Sequence, residues 1–352
     1  MSMLADLVDL VIGVDTHADT HTAALVAVES RAVLATTTVT ADPAGYRELV
    51  ELAESHAGVR GWAIEGAGSY GAGLTRHLHV RGELVVELDR PTRPARRHGA
   101  KSDEIDAERA ARDALARVRL AAPKTGPQRA GLAMLLTARR AAVQAATDAQ
   151  GQLRALVITA PEPVRARFRG HTTTAMITTA TRLRPTAASA AAGDVEVFTA
   201  LSVLRALARR VTALRTEAAE HERAITAIVR SWRPDLLELC GVGPINAAVV
   251  LTAWSHPGRV RSDAAFAMLA GAAPIPASSG KTVRYRLNRS GDRQLNRALH
   301  NIALSRLRHD PATRAYAERR RTEKTDRDIK RCLKRYIARQ LYRLLETTPA
   351  TA

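Results

Sequence analysis

The chain up to residue 89 alternates short apolar runs with turn-forming residues. The runs DLVIGVD, HTAALVAVES and RAVLATTTVTA predict three consecutive strands, the third of them rich in β-branched residues. ADPAGYRELVELAESHA predicts a helix that starts at Asp42 or Pro43. GWAIE predicts a fourth strand, GAGSYGAGLTRHLHVRG a turn and helix, and ELVVELD a fifth strand. The order βββαβαβ indicates an α/β domain, a mixed sheet with helices on its faces.

Residues 127–230 are predicted to be mostly helical, with a break in the proline-containing stretch 159–195. In the second half, apolar positions recur in alternating steps of three and four, the 3.5-residue period of a coiled coil. The seam consists of Leu204, Leu207, Val211, Leu214, Ala218, His221, Ile225 and Ile228. An earlier helix near 127–158 can cover this seam within the chain, or a second copy can cover it. Because the long narrow seam leaves the arm little other core, dimerisation is favoured.

The segment LLELCGVGPINAAVVLTAW, residues 236–254, matches a helix–hairpin–helix pattern. Gly241 and Gly243 would let the turn approach a phosphate, which the N–H groups of the next helix can bind. A plain αα-hairpin is the alternative. The chain is therefore predicted to have an α/β domain at 1–126, an all-α coiled-coil arm at 127–232, and a helical C-terminal domain at 233–352.

The net charge of the chain indicates what class of partner it binds. The formal net charge is +18, and residues 281–347 hold 20 Lys and Arg against 7 Asp and Glu. Such a balance favours nucleic acid as the partner. Aromatic residues are only 3% of the chain, so contacts to phosphate are expected to dominate over base stacking. The basic loop PTRPARRHGAKSD could serve the same purpose or could be a solvated loop.

The cysteine content and the hydropathy of the chain indicate the cellular compartment in which the protein is expected. Cys240 and Cys332 are too few for a disulfide framework or a zinc site. No signal peptide and no apolar run of membrane-spanning length is apparent. A soluble, cytoplasmic, nucleoid-associated protein without a membrane partner is expected.

Four carboxylates in the first third of the chain are the candidate chemistry. Asp15 and Glu65 each end a predicted strand, whereas Asp103 and Asp106 are three residues apart and share one helical face. Acids that converge repel each other unless a cation neutralises them, and all-oxygen ligands suit Mg²⁺ or Mn²⁺. The alternative is local: an acid at a strand end is often a cap, and Asp103 could be the N-cap of its helix.

Taken together, these motifs resemble the DEDD transposases of bacterial insertion sequences, in the IS-one-ten group. The N-terminal matches are VIGVD, IEGAGSY and K-S-D-x-x-D-A, which contain the four acids. The C-terminal matches are GVGPINAA, G-x-x-P-x-x-x-x-S-G from Gly271 to Gly280, and the basic segment that ends at Gly291-Asp292. The resemblance implies an RNase H/RuvC-like N-terminal domain and a separate C-terminal transposase domain.

The resemblance also implies a reaction. In that family the four acids bind divalent metal, and a serine attacks DNA. The serine maps to Ser279, with Ser278 as the rival in the neighbouring register; Ser290 falls at a variable position. Where the family has S-K-x-G, this chain has N-R-S-G, with Asn288 and Arg289 at the first two positions. The family further uses a structured guide RNA to choose its DNA, for which only the charge of this chain is suggestive.

The interpretation is a transposase that cleaves and rejoins DNA through a phosphoserine intermediate, as a homodimer or larger homo-oligomer. The predicted nucleic-acid contacts are Arg96, Arg97, Lys101, Gly241, Gly243, Lys281, Arg284, Arg286 and Arg289. One alternative is a RuvC-like endonuclease that uses metal-activated water. The other is a nucleic-acid-binding protein derived from an inactive transposase, against which the intact acid quartet argues.

Overall fold

A computed structural model of the chain describes residues 3–88, 102–185, 194–278, 282 and 284–347. It separates into two compact units, residues 1–126 and 127–352. Each unit has its own core, and each is described by itself below.

The first unit is built on a five-stranded mixed sheet. Its strands are β1 Leu10–Thr16, β2 Thr20–Ala27, β3 Val33–Thr40, β4 Arg60–Glu65 and β5 Leu84–Leu88. The spatial order is β3-β2-β1-β4-β5. β1, β2 and β3 pair antiparallel, whereas β4 runs parallel to both β1 and β5. The five predicted strands and their mixed character are therefore present, as the βββαβαβ order indicated.

Helices cover both faces of this sheet: α1 Pro43–Glu54, α2 Ala72–Val80 and α3 Asp103–Ala116. The side chain of Asp42 caps α1 by accepting from the N–H groups of Ala44 and Gly45. Alternation along the strands separates two cores. Leu10, Ile12 and Val14 of β1 pack with α1 and α2, whereas Val11 packs with α3.

A close backbone approach fixes α3 on the sheet. A Cβ at Gly13 of β1 would lie 2.1 Å from the carbonyl oxygen of Ala107 and 2.4 Å from the nitrogen of Ala111. Apart from Leu115, the buried residues of α3 are alanines, which keep the helix near the strand: Ala107, Ala110, Ala111 and Ala114. Gly13 is thus required by packing, because its backbone without a side chain lets α3 lie directly against β1.

The second unit begins with two long helices, α4 Pro127–Thr159 and α7 Val195–Trp232. Between them lie α5 Glu162–Arg165, a short 3-10 turn at Ala166–Phe168, and α6 Thr173–Thr181. Buried side chains of α4, including Leu153 and Val157, share one core with Leu204 and Val211 of α7. The break predicted at 159–195 is consistent with these short elements.

The predicted seam of α7 is buried within the chain at every seventh residue. Leu204, Val211, Ala218 and Ile225 are all buried. The seam residues between these positions differ from the prediction. Ala208 and Val229 are fully buried, whereas the predicted seam residues Leu207 and Ile228 are only partly buried. The stripe that faces α4 is thus wider than a two-position seam. For these residues the structure has the intramolecular hairpin, one of the two alternatives, and dimerisation stays a prediction.

The rest of the second unit is helical around one core. Its elements are α8 Asp235–Glu238, α9 Pro244–Trp254, α10 Asp263–Leu269, α11 Arg293–His309, α12 Pro311–Arg320 and α13 Asp326–Glu346, with a two-stranded ribbon of β6 Ile275–Pro276 and β7 Tyr285–Arg286. Leu132 of α4 and Ile225 of α7 belong to the same core as Leu251 and Leu341. Among the described helices, none has the length and apolar character needed to traverse a lipid bilayer.

Candidate metal centre and nucleic-acid contacts

Asp15 and Glu65 lie at the carboxyl ends of two neighbouring parallel strands. The paired residues Val14 and Ile64 directly precede them, and both belong to the core on the α1 and α2 side. Because side chains alternate along a strand, Asp15 and Glu65 are directed to the opposite face, which α3 covers. The sheet therefore brings these two acids to one edge, as the sequence predicted for strand-end carboxylates.

The helix that carries the other two acids starts immediately beside this edge. Its N-cap is Ser102, whose hydroxyl accepts from the N–H of Ile105 at 3.3 Å. Asp103 is therefore the first helical residue, and the alternative that it caps the helix is wrong. Since Ser102 provides the cap, the carboxylate of Asp103 is available for other contacts.

Asp15 and Asp103 converge around an imidazole. Nε2 of His17 lies 3.2 Å from Oδ2 of Asp15 and 3.5 Å from Oδ1 of Asp103. One ligand atom from each of the three residues lies within 4.8 Å of the other two. The side chain of Asp15 is 16% exposed, whereas those of His17 and Asp103 are 49% and 53% exposed. The cluster is thus anchored at the sheet and open to solvent on its outer side.

This donor set suits a divalent cation. Two carboxylates supply hard oxygen ligands, and an imidazole is an additional donor that Mn²⁺ and other transition metals accept more readily than Mg²⁺. A protonated His17 could instead neutralise the two acids when no metal is bound. A second histidine, His21, is fully buried on β2, and burial lowers its pKa, which disfavours the protonated form there.

His17 is a site residue that sequence reasoning missed. The available signal was its position two residues after Asp15, because i and i+2 positions of an extended chain lie on the same side. His17 follows the last residue of β1 directly. A strand-end acid followed at i+2 by a histidine is therefore a pattern that sequence analysis could use.

Glu65 and Asp106 lie outside the tight three-residue group. The backbone carbonyl of Glu65 accepts from the hydroxyl of Thr16 at 2.8 Å, which ties the ends of β4 and β1 together. Asp106 forms an ion pair with Arg109 one turn along α3, at 2.6 Å. The structure thus brings two of the four predicted acids into direct proximity, and the metal-binding roles of Glu65 and Asp106 stay predictions.

Several predicted residues lie outside the described part of the chain. These are Arg96, Arg97, Lys101, Ser279 and Lys281. The rival Ser278 is described: its hydroxyl accepts from the N–H of Arg284 at 3.2 Å, across the β6–β7 ribbon. Arg284, Arg286 and Arg289 are exposed.

In the turn before α9, backbone conformation and packing explain why glycine occupies position 241, but packing does not explain the glycine at position 243. Gly241 has a φ of +82°, and a Cβ there would approach the carbonyl oxygen of Ile302 and the side chain of Ser305 at 3.0 Å. Gly243 is the N-cap of α9, and a Cβ there would meet nothing within 4 Å. The preceding α8 is a single turn, shorter than the apolar helix expected of a helix–hairpin–helix. Phosphate binding by this turn stays a prediction.

The first unit is consistent with an RNase H-like domain, since acids end the neighbouring parallel strands of a mixed sheet. A transposase model for DEDD proteins of the IS110 type matches residues 12–160. A second model, described as the transposase IS116/IS110/IS902 family, matches residues 234–318. The two matches occur in chain order and cover both units, and the chain belongs to the IS110 family of insertion-sequence transposases.

Two curated relatives agree with this assignment over part of the chain. An uncharacterized 43.6 kDa protein of insertion element IS110 from Streptomyces coelicolor is 34% identical over 122 residues, which is 34% of this chain and 30% of that protein. An uncharacterized 42 kDa protein of insertion element IS900 from Mycobacterium paratuberculosis is 35% identical over 128 residues, 35% of this chain and 32% of that protein. The matched segment spans less than one third of each relative's length.

Proposed function

We propose that this protein cleaves and rejoins DNA strands to move its insertion sequence, using a divalent metal ion held by the acids of the first unit. The observation that supports this most directly is the convergence of Asp15 and Asp103 at the end of β1. Like charges at this distance repel unless a cation neutralises them, and a divalent metal ion would provide that charge. Family membership adds that the quartet occurs in a transposase.

The residues would act together on one phosphate. Asp15 and Asp103 would hold the ion, and Glu65 and Asp106 would complete its environment. Mg²⁺ or Mn²⁺ bound there would supply charge stabilisation for an in-line displacement at phosphorus. The open outer side of the cluster gives a phosphodiester access to it.

Ser279 is proposed as the nucleophile. Its hydroxyl oxygen attacks the phosphorus and loses its proton to solvent or a nearby base, a phosphorus–oxygen bond forms, and the bond to the 3′ oxygen breaks. The 3′ hydroxyl leaves after taking up a proton, and the 5′ phosphate stays on the serine. Reversal by another 3′ hydroxyl reseals the strand without ATP. The engagement of Ser278 in the β6–β7 ribbon supports the choice of Ser279 over its neighbour.

DNA is the proposed substrate, and the positive charge of residues 281–347 supports that choice. The family resemblance supports a structured guide RNA as a further partner. A homodimer or larger homo-oligomer is also proposed, although α4 already covers much of the α7 stripe that suggested it.

The proposed reaction can be tested by trapping a protein–DNA adduct. The full chain is incubated with Mg²⁺ or Mn²⁺ and DNA carrying both ends of its element, together with RNA transcribed from the adjacent noncoding segment. Denaturing electrophoresis then detects a covalent complex, and mass spectrometry locates the phosphopeptide. We expect attachment at Ser279, loss of the adduct in Ser279→Ala, and retention in Ser278→Ala.

Two results would redirect the proposal. Cleaved DNA with free 5′ phosphates and no adduct would favour the water-using endonuclease. Metal-independent binding with no cleavage under any condition would favour a nucleic-acid-binding derivative without activity.

A further inference from the structure

A second polar site lies entirely in the C-terminal part of the second unit. It is a cleft of about 750 Å³ between the start of α11, the loop that precedes it, and α13. Its principal lining side chains are Arg289, Arg293, Asn296, Arg297, His300 and Lys334. Of the described residues that line it, none is acidic and none is Phe, Tyr or Trp. The described lining of the cleft is therefore strongly cationic and offers no aromatic ring on which a base could stack.

Helical periodicity produces the long side of this cleft. Arg293, Arg297 and His300 are separated by four and three residues, so they form a row along one face of α11. The opposite face, which includes Leu295 and Leu299, is buried in the core. At about 1.5 Å per residue, the row is roughly 10 Å long. It is long enough to contact more than one phosphate of a strand, whose charges recur about every 3.4 Å along the axis of duplex DNA.

The arginines that line the cleft have no acidic partner among the described residues. Within the described residues, Arg289, Arg293 and Arg297 form no ion pair, although several other arginines of this region do. Arg331 pairs with Asp328, and Arg339 pairs with Asp263. The charge of the region is thus partly neutralised elsewhere and left uncompensated at the cleft.

A hydrogen-bonded scaffold holds the deeper part of the cleft. Nζ of Lys334 donates to Oδ1 of Asn296 at 2.9 Å, and Nδ2 of Asn296 donates to the carbonyl of Ala270 at 2.6 Å. Asn296 therefore positions the ammonium group and is itself fixed by the backbone. Burial lowers the pKa of Lys334, and the nearby positive charge of Arg331 lowers it further. Both effects are expected for a partly buried cation beside another cation.

The loop before α11 is fixed in the same way. Nδ2 of Asn288 donates to the carbonyl of Met268 at 2.9 Å. Gly271 has a φ of +60°, and a Cβ at Gly291 would lie 2.3 Å from the backbone nitrogen of Gly271. The two backbone segments are thus in direct contact, and Arg289 extends from a constrained turn. The cleft is preorganised before any ligand binds.

From these observations we propose that the cleft binds the phosphodiester backbone of nucleic acid, over two or more successive phosphates, without reading its bases. This inference rests on the proposed action on DNA and specifies where the second unit holds its substrate. Unpaired arginines in a concave site match phosphate oxygens, which accept paired hydrogen bonds from guanidinium groups. The absence of an aromatic platform among the described lining residues favours contacts to the backbone over contacts to bases.

The test measures how affinity depends on salt. Fluorescence anisotropy would follow the full chain binding labelled single-stranded DNA, the corresponding duplex and RNA of the same sequence, across a series of NaCl concentrations. We compare the wild type with Arg293→Gln/Arg297→Gln. The log–log slope should become shallower by about 0.9 per arginine for duplex DNA and about 0.7 for single strands. The probe with the greatest loss identifies which nucleic acid occupies the cleft.

A matched control removes two arginines that are already neutralised. Arg320 pairs with Glu323, and Arg321 pairs with Glu318 and Asp326. Arg320→Gln/Arg321→Gln changes the net charge equally and should leave the slope close to that of the wild type. Circular dichroism checks that both variants fold, and Arg293→Lys/Arg297→Lys, which keeps the charge, should restore most of the slope.

An unchanged slope in the cleft variant, or an equal change in the control, would overturn the inference. The adduct assay separates this failure from failure of the proposed function. If wild-type protein forms the adduct while the cleft variant keeps the wild-type slope, only the cleft assignment fails. If no adduct forms but the cleft variant alone loses slope, the cleft remains a phosphate-binding site in a protein without recombinase activity.

Discussion

The two polar sites of this protein concentrate opposite charges by different structural means. In the first unit, Asp15 and Asp103 come from a strand end and a helix start that are distant in sequence, and a close packing contact at Gly13 brings those elements together. In the second unit, Arg293 and Arg297 lie on successive turns of one helix. The acidic site depends on tertiary packing, whereas half of the basic cleft depends only on helical periodicity.

Their neutralisation also differs. The acids of the first unit surround His17, which can carry a positive charge, and Asp106 has Arg109 as its partner. The cleft arginines form no ion pair within the described residues. An acidic group that relies on a small cation needs tight convergence, whereas a row that meets an extended polyanion needs only the correct spacing. The difference predicts that packing mutations will affect the first site far more than the second.

The largest effect is expected from changing one acid of the metal centre. Asp103→Asn keeps the shape of the side chain but removes a charged ligand, so metal-dependent DNA cleavage should fall by about a hundredfold or more. Asp113→Asn is the control, because Asp113 lies on the same helix and pairs with Arg117. Nucleic-acid affinity without metal should be unchanged in both. Cleavage by Asp103→Asn at the rate of the control would contradict the assignment.

Disturbing the contact between α3 and β1 should have the next largest effect. Gly13→Ala places a methyl group against backbone atoms of Ala107 and Ala111, so the free energy of unfolding should fall by about 1–3 kcal/mol. Metal affinity should weaken as well, whereas the salt slope of nucleic-acid binding should not change. Denaturant titration and calorimetry with Mn²⁺ measure these quantities.

Gly151→Ala provides the control for that substitution. A Cβ at Gly151, inside α4, would meet nothing within 4 Å. There the change should raise the free energy of unfolding by about 0.5–1 kcal/mol. If both alanine variants have the same effect, the packing argument for Gly13 is wrong.

The smallest effect concerns pH at the basic cleft. Burial lowers the pKa of His300, and Lys334 and Lys330 of α13 lower it further, so the free protein holds this imidazole neutral to lower pH than usual. A phosphate in the cleft would favour the protonated form and raise the pKa. The affinity for nucleic acid should therefore increase as pH falls below about 6.5. The increase should reach up to about tenfold for each unit by which the pKa of His300 is higher in the complex than in the free protein. Once the free protein is also protonated, the increase should stop.

His300→Gln should remove this pH dependence. His309→Gln, at the exposed end of the same helix, should preserve it. Anisotropy titrations at constant ionic strength distinguish the two variants. A pH dependence that persists in His300→Gln would assign it to another group.

Sequence patterns were sufficient for the first unit because local and tertiary signals agree there. The apolar run DLVIGVD predicted a strand, and the buried residues of β1 pack on both faces of the sheet. The exact partner of Asp15 was harder to predict. The sequence pattern predicted that strand-end and helix-borne acids converge, but it did not predict that His17 lies between Asp15 and Asp103.

Two features exceeded what periodicity can specify. On α7 the 3–4 spacing predicted Leu207 as a seam residue, but Ala208 is fully buried and Leu207 only partly so. In the second unit, counting charges identified a basic region without separating paired from unpaired arginines. Part of that separation depends on Asp263 of α10, whose proximity to Arg339 of α13 is fixed by the fold, whereas the pair of Asp328 and Arg331 is local to α13.

The glycine contact beneath α3 also links the chemistry of the first unit to its conformational stability. A cation that binds Asp15 and Asp103 binds only when α3 is docked, so its binding free energy is added to the stability of the docked state. Local opening of this helix and release of the ion are then a single equilibrium. Amide hydrogen exchange within α3 becomes a measure of metal occupancy, independent of any DNA.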